Sequence, residues 1–278
     1  MQHVRRSEKF LSWTILVILV LTVLVPLSWA VLTSLKSEAS VMAYPPTFLP
    51  ADPTVSAYKT VLRNQTFASD LLNSVTYALA AVALAVLLSA PAGYAASRFE
   101  FRGKRAVMLM ILSTSMIPAV ALLVPTYYLL DKLGLLNNPV VIIVLQAARL
   151  VPQTVWFMQN FVDAVPRELD EATQVDGASH WQTFTRVILP LVRPGIAASA
   201  VIGIITTWND YITVAAFAPE VAYRTLQVAL VNQVFDSIGI SWSYVMAFAV
   251  VCSLPIVAIF MLAQRWFISG LTAGAVKG

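Results

Sequence analysis

Charged residues are scarce in this chain. They make up 12% of its 278 residues, against about 25% in an average soluble domain, whereas 59% of the residues are hydrophobic. This composition excludes an ordinary soluble domain and favours a membrane protein. The net charge of +4 comes from cations dispersed among apolar runs rather than gathered in one patch, which argues against nucleic-acid binding.

The residues of common catalytic and metal sites are scarce too. Cys252 is the only cysteine, so the chain cannot form an internal disulfide or a cysteine metal site. The two histidines, His3 and His180, are predicted to lie outside the hydrocarbon. Neither the phosphate-binding pattern G-x-x-x-x-G-K-[ST] nor H-E-x-x-H occurs in the sequence. We therefore predict a non-catalytic chain without a metal or cofactor of its own.

Six apolar runs are long enough to cross a bilayer, which takes about 20 residues of helix. They cover residues 11–32, 71–94, 106–130, 138–160, 195–218 and 243–264. The first run has no small-residue cleavage site behind it, so we expect a retained span rather than a signal peptide. The sequence therefore predicts one all-α integral membrane domain over residues 1–278, with six transmembrane helices.

Lysine and arginine are divided unequally between the two sides of these spans. If the N-terminus is inside, twelve of them fall in inside segments, five fall outside, and Arg149 lies within a span. Because positive residues concentrate in cytoplasmic segments, we expect both termini in the cytoplasm. Residues 1–10, 161–194 and 265–278 would then be cytoplasmic, and the proline-rich segment 33–70 extracytoplasmic.

The segment 161–194 contains the clearest helix signals of the chain. Glu168 and Glu171 would lie in a first helical turn, where the helix dipole favours acids, and Gly177 suits the left-handed residue that ends a helix. Ser179 and Gln182 form a capping box that would begin a second short helix. These signals predict a helix, a glycine turn and another helix. From the residues alone, an interfacial hairpin that only links two spans explains them equally well.

Two stretches resemble the permease subunits of ATP-binding cassette (ABC) importers. The segment 161–194 resembles their Glu-Ala-Ala loop through the residues Glu171, Ala172, Asp176, Gly177, Ala178, Ile188, Leu189 and Pro190. Thr173 replaces the usual third alanine. The C-terminal stretch LAQRWFISGLTAGAVKG resembles the end of the smaller permease subunit of maltose-type sugar importers, although taken alone it indicates only a flexible tail. With six predicted spans, the resemblance covers nearly the whole chain.

The resemblance implies the type I importer permease fold and a coupling role for the 161–194 loop. The loop would dock into a cleft of an ATPase subunit through Glu168, Glu171, Ala172, Asp176, Gly177 and Ala178. The tail would add contacts through Gly270, Thr272, Gly274 and Lys277. The implied partners are a second, homologous permease, two copies of a cytoplasmic ATPase that hold ATP and Mg, and an extracytoplasmic solute-binding protein. The implied location is the bacterial inner membrane, and the implied solute is a sugar or sugar-like molecule.

Polar residues interrupt the fourth and fifth predicted spans. They are Gln146, Arg149, Gln153, Trp208, Asn209, Asp210 and Tyr211. Charged residues at membrane depth are costly and normally face protein or water, which makes these the candidates for the substrate path. Aromatic rings beside amide and carboxylate groups suit a sugar. Alternatively, Asp210 would pair with Arg149 or with a partner helix in a purely structural role.

Four other functions remain compatible with parts of the sequence. In an ion-gradient-driven secondary transporter, Arg149 and Asp210 would belong to the ion path. An ABC importer for a non-sugar solute would share the same loop. A membrane enzyme or a scaffolding subunit would explain the spans but not the loop.

Overall fold

The structure, a computed structural model, describes the backbone of residues 6–235 and 241–275, with side chains over 11–235 and 241–264. Within these residues the regular structure is helical, without a β-strand. The α-helices are α1 (Arg6–Ser34), α2 (Glu38–Val41), α3 (Ser56–Arg63), α4 (Phe67–Arg98), α5 (Lys104–Thr114), α6 (Ala119–Lys132), α7 (Pro139–Asp163), α8 (Glu168–Val175), α9 (His180–Thr183), α10 (Leu189–Leu191), α11 (Arg193–Trp208), α12 (Tyr211–Phe217), α13 (Leu226–Phe235) and α14 (Trp242–Ala275). A π-helix, Phe184–Ile188, joins α9 to α10, and a 3-10 turn, Val221–Tyr223, precedes α13.

The chain divides into two compact units. The first contains Met1–Phe67 and Leu230–Leu254, and the second contains Ala68–Ala229 and Pro255–Gly278. The first unit therefore includes most of the segment predicted to lie outside the membrane, and the second includes the predicted coupling loop.

Four of the predicted spans are confirmed as long apolar helices. They are Leu11–Ser34, Phe67–Arg98, Pro139–Asp163 and Trp242–Gln264. Two bent helix pairs raise the number of candidate spans in the described residues to six if each pair crosses once. The observed architecture is therefore an all-helical chain with four to six candidate spans.

The third predicted span, 106–130, is a bent pair of helices rather than one straight helix. Its helix stops after Thr114 and resumes at Ala119, with an 84° bend between α5 and α6. Pro118 has an extended ψ of 125° and begins the second half as its N-cap residue. A residue that precedes proline is disfavoured in helical conformation, which makes Ile117 a natural point for the break.

The fifth predicted span, 195–218, also differs from a single helix. Helix α11 ends at Trp208, and Asp210 begins α12 by accepting a hydrogen bond from the Thr213 backbone N–H at 3.2 Å. The apolar pair at this point of the chain is instead His180–Leu191 with Arg193–Trp208, bent by 72°. Asp210 caps a helix because its short acidic side chain satisfies an N–H group that would otherwise lack a partner.

The core of the second unit is built where α4 and α7 approach closely. A Cβ atom added to Gly93 of α4 would lie 2.5 Å from Met158 Cβ and 2.8 Å from the Gln159 backbone nitrogen of α7. Only glycine fits such a contact between backbones. One cluster of buried side chains beside it continues into the loop through Tyr94, Phe184 and Ile188.

Candidate functional sites

The segment between α7 and α11 contains the predicted helix, glycine turn and second helix. Glu168, Asp170 and Glu171 occupy the first turn of α8. Gly177 follows with φ at +81°, in the left-handed region that favours glycine. The capping box is complete, because Ser179 Oγ accepts from the Gln182 backbone and the Gln182 side chain accepts from the Ser179 backbone. The local signals in the sequence were sufficient to predict this motif.

The residues of the predicted coupling contact lie on an open face of this motif. Glu168, Glu171, Ala172, Asp176 and Gly177 are exposed, and Ala178 is half-buried. Val175 and Trp181 add exposed apolar surface next to them, with relative exposures of 87% and 64%. An exposed face that mixes acids with large apolar side chains has the composition of a protein-binding surface.

The opposite face of α8 is fixed to α4 by a buried ion pair that the sequence analysis missed. Arg98 Nε lies 2.9 Å from Asp170 Oδ2, and the two side chains are 7% and 9% exposed. Tyr94 Oη donates to Asp170 Oδ1 at 3.1 Å. Arg98 also donates from Nη2 to the Val165 carbonyl at 2.8 Å, which adds the chain before α8 to the same contact.

Thr173, which departs from the resembled motif, has a structural partner. Its hydroxyl donates to the Asp170 carbonyl at 2.8 Å and lies 2.7 Å from the hydroxyl of Thr183. Thr183 is fully buried at the end of α9. The hydroxyl of Thr173 therefore joins α8 to α9 across the glycine turn, where alanine would leave Thr183 without this contact.

The polar residues of the predicted substrate path are brought together only in part. Gln146 Nε2 lies 3.3 Å from Asp210 Oδ2, and Arg149 Nη1 lies 3.4 Å from the same oxygen. A cavity of only about 10 Å³ lies between these residues and Thr206, Thr207 and Leu150. This volume is at the lower limit for one water molecule, so the cluster is closed to a sugar in this conformation.

The other candidates for the path differ in their exposure. Trp208 is buried, Tyr211 is half-buried, and Gln153 is exposed. Asn209 is exposed and donates to the Ile205 carbonyl of its own helix at 2.8 Å. The arrangement agrees with the structural pairing of Asp210 and Arg149 that the sequence left open.

A second buried ion pair lies at the N-terminal end of α4. Asp70 accepts from Arg224 Nε at 3.0 Å and Arg224 Nη2 at 3.2 Å, in a two-point contact. Asn73 donates to the carbonyls of Ala222 and Arg224, and Ser74 Oγ accepts from the Leu226 backbone at 2.9 Å. Asp70, Asn73 and Ser74 share a helix face at spacings of three and four. Together they hold the segment 222–226 against α4.

The predicted tail contact falls at the limit of the described residues. The backbone of α14 is helical through Ala275, so Gly270, Thr272 and Gly274 belong to a helix rather than to an irregular tail. Their side-chain environment and Lys277 lie outside the described residues. Among the residues that the structure describes, no group of three or more His, Cys, Asp or Glu side chains is arranged to hold a metal ion.

Comparison with known proteins identifies relatives along the whole chain. The diacetylchitobiose uptake permease DasC of Streptomyces coelicolor is 31% identical over 94% of this chain and 95% of its own length. The trehalose permease SugB of Mycobacterium tuberculosis is 31% identical over 96% of this chain and 97% of its own length. The galactooligosaccharide permease GanQ of Bacillus subtilis is also 31% identical, over 99% of this chain and 98% of its own length.

Solved structures show the same fold. A chain of a bacterial ABC transporter involved in the import of the polysaccharide alginate superposes with a TM-score of 0.83, at 25% identity, over 96% of this chain and 100% of that one. A chain of the MetNI methionine ABC transporter superposes with a TM-score of 0.55 at 18% identity, over 73% of this chain and 95% of its own, and supports the fold alone. The family described as binding-protein-dependent transport system inner membrane component matches residues 85–272, and this chain belongs to it.

Proposed function

We propose that this chain is one of two permease subunits of an ATP-driven carbohydrate importer in the bacterial inner membrane, with both termini in the cytoplasm. The observation that carries the proposal is the two-sided construction of α8. One face is exposed and acidic, while the other is fixed to α4 by the buried Arg98–Asp170 pair. A surface that binds a moving partner needs such a fixed connection if the movement is to reach the spans.

The substrate class is supported by the relatives. Three relatives that align over 94% or more of this chain carry names for diacetylchitobiose, trehalose and galactooligosaccharide transport. An alginate transporter whose chain shares the fold with a TM-score of 0.70, at 15% identity, was solved with a pentasaccharide-bound periplasmic protein. We infer a carbohydrate as the solute and an extracytoplasmic binding protein as the partner that delivers it.

The proposed transport mechanism assigns ATP binding to the ATPase subunits and solute passage to the two permeases. Two ATPase subunits would bind ATP and Mg and close on each other, and each permease would offer one α8 to them. Displacement of α8 would move α4 through the Arg98–Asp170 pair, and the paired permeases would alternate between outward-open and inward-open states. The C-terminal residues Gly270, Thr272, Gly274 and Lys277 would give the ATPase subunits a further contact.

In this mechanism the Gln146, Arg149 and Asp210 cluster belongs to the gate of the path. It is closed to a sugar in the present conformation, although the exposed half of the Arg149 side chain is open to water. Gln153, Trp208, Asn209 and Tyr211 would line the path when α11 and α12 move apart from α7. The Arg149–Asp210 pair is suited to this task because its separation leaves the half-exposed Arg149 cation hydrated.

ATP hydrolysis by the complex captured through this chain from its native membrane tests the proposal. Glu171→Lys and Gly177→Leu should each abolish copurified ATPase activity, through a reversed charge and a strained left-handed residue respectively. Asp52→Lys is the matched charge control, because Asp52 is also exposed. Gly134→Leu is the matched glycine control, because Gly134 has φ at +65° and, like Gly177, open space around an added Cβ.

The two controls should keep full ATPase activity that rises with binding protein and sugar. Capture of an unmodified chain without any ATPase, together with solute transport in vesicles driven by an ion gradient, would replace the importer with a secondary carrier. Equal loss of activity in the variants and their controls would show that the 161–194 loop is not the docking element.

A further inference from the structure

The first unit contains a cleft far larger than the closed cavity at Asp210. It has a volume of about 810 Å³ and is formed by the start of α2, by α3 and the turn after it, by α13, and by the start of α14. This volume lies within the range of about 300–1,000 Å³ that is typical of small-molecule sites. The cleft therefore has the size, though not yet the chemistry, of a solute site.

One wall of the cleft is fixed by Glu38. Its carboxylate accepts hydrogen bonds from Ser241 Oγ at 2.7 Å, Ser243 Oγ at 2.9 Å and the Trp242 backbone at 3.1 Å. These three donors belong to the beginning of α14, so the Glu38 carboxylate stabilises the positive end of a long helix. The wall is preorganised, and the acid is already occupied by donors from the protein.

Other polar groups in the cleft remain available to a ligand. The side chains of Arg63, Gln65 and Gln233 have no hydrogen-bond or ion-pair partner among the described residues. Asn64 Nδ2 lies 3.3 Å from Tyr244 Oη, which places an amide beside a phenol. A side-chain amide donates hydrogen bonds through its N–H groups and accepts them at its carbonyl oxygen, and a sugar hydroxyl also does both. Each amide can therefore bind a hydroxyl as donor or as acceptor.

The polar lining distinguishes this cleft from a site for a protein. The core of a protein interface is enriched in apolar and aromatic residues, whereas ten of the twelve residues that line this cleft carry a hydroxyl, an amide, a guanidinium or a carboxylate on an aliphatic side chain, and the other two are one tyrosine and one alanine. We propose that the cleft is a binding site for a hydroxyl-rich carbohydrate, separate from the cluster of Gln146, Arg149 and Asp210. This inference rests on the proposed function, because it assigns the cleft to the solute that the importer carries.

The test uses the intact importer in nanodiscs without its binding protein, and trehalose, diacetylchitobiose and galactobiose as probes. Saturation-transfer NMR should show direct binding of the sugar that the complete system transports. Gln233→Ala should weaken its Kd about three- to tenfold, the effect of one or two lost hydrogen bonds. Asn232→Ala should leave the Kd unchanged, because Asn232 is an exposed neighbour on α13 that does not line the cleft. The thermal unfolding temperature of each purified complex shows whether the variants are folded.

Three results would overturn the inference while leaving the importer in place. These are no saturation transfer to a sugar that the complete system transports, an equal Kd for Gln233→Ala and the unmodified complex, and a Gln233→Ala defect confined to binding-protein affinity. The last result would assign the cleft to protein docking. If the complete system transports no carbohydrate, the proposed function fails, and a signal from a probe sugar that is sensitive to Gln233→Ala would still support the cleft as a carbohydrate site.

Discussion

Two ion pairs connect helices of the second unit, and they differ in their access to water. In the Arg98–Asp170 pair both side chains are almost fully buried, and a tyrosine hydroxyl completes the contact. In the Arg149–Asp210 pair the arginine side chain is 49% exposed and the distance is 3.4 Å. A buried pair is costly to separate because each charge would be left without water. Separation of the second pair leaves the Arg149 cation in water and leaves Asp210 with the hydrogen bonds that it accepts from Gln146 and from the Thr213 backbone. The comparison indicates a fixed joint at α8 and a separable contact at Asp210.

The largest effect is expected when one partner of the buried pair is removed. Asp170→Leu leaves the Arg98 cation buried without its carboxylate and should destabilise the complex by about 3–5 kcal/mol. The double change Arg98→Leu with Asp170→Leu should restore much of this loss, since no charge is then left unpaired. Thermal unfolding of the purified complex measures the stability of the single and the double variant. Equal destabilisation by the single and double changes would show that the charge itself is not the cause.

A somewhat smaller loss is expected at the N-terminal end of α4. Asp70→Asn keeps the shape of the side chain but removes the charge from the two-point contact with Arg224, whose side chain is 19% exposed. We expect a loss of about 2–3 kcal/mol, typical of hydrogen bonds to charged groups. Protease cleavage near residues 222–226 should increase together with the fall in thermal stability. Unchanged cleavage would mean that Asn73 and Ser74 hold the segment without the ion pair.

The Arg149–Asp210 pair should give a smaller loss of stability. Arg149→Gln is expected to lower the free energy of unfolding by about 1 kcal/mol, because the buried Asp210 carboxylate loses its cation but still accepts hydrogen bonds from Gln146 and from the Thr213 backbone N–H. Transport, in contrast, should fall if Arg149 belongs to the gate. Measuring both properties on the same variant separates the two roles. A loss of stability as large as that of Asp170→Leu would place both pairs in the same structural class.

The smallest effect concerns Glu38 in the first unit and depends on pH. Burial raises the pKa of this carboxyl, but hydrogen bonds from Ser241, Ser243 and the Trp242 backbone outweigh it and hold the pKa below its ordinary value of 4.5. The stabilisation is therefore present at neutral pH and is lost as pH falls through the lowered pKa. The Tm of Glu38→Gln should lie below that of the unmodified protein at pH 7, and the difference should disappear in stronger acid. A constant difference at all pH values would contradict this linkage.

Local patterns predicted the features that depend on neighbouring residues. The capping box at Ser179 and the turn at Gly177 needed only short-range spacing, and four long apolar runs became four long helices. The break at Pro118 was not predictable from proline alone, since Pro91 and Pro255 lie inside unbroken helices. Whether a proline breaks a helix depends on whether neighbouring groups satisfy the freed carbonyl, and that is a property of the packing.

The missed contacts share one cause, which is distance along the chain. Asp170 has the same sequence context as its neighbours Glu168 and Glu171, and nothing local indicates that it alone is buried. Its partner Arg98 belongs to another helix, where it counted only as a cation that sets orientation. Asp70 and Arg224 are separated even further along the chain. Such pairs are fixed by the folded arrangement of helices rather than by any pattern within one of them.

The contact at Gly93 has a mechanical consequence. Because the α4 backbone at Gly93 touches the backbone of α7, no layer of side chains separates the two helices at this point. Rotamer changes of intervening side chains therefore cannot let the two helices slide past each other, and we expect α4 and α7 to shift together as one rigid body. A displacement of α8 would therefore move α4 and α7 together. The size of the movement at the far ends of these helices would depend on their length rather than on the flexibility of the contact between them.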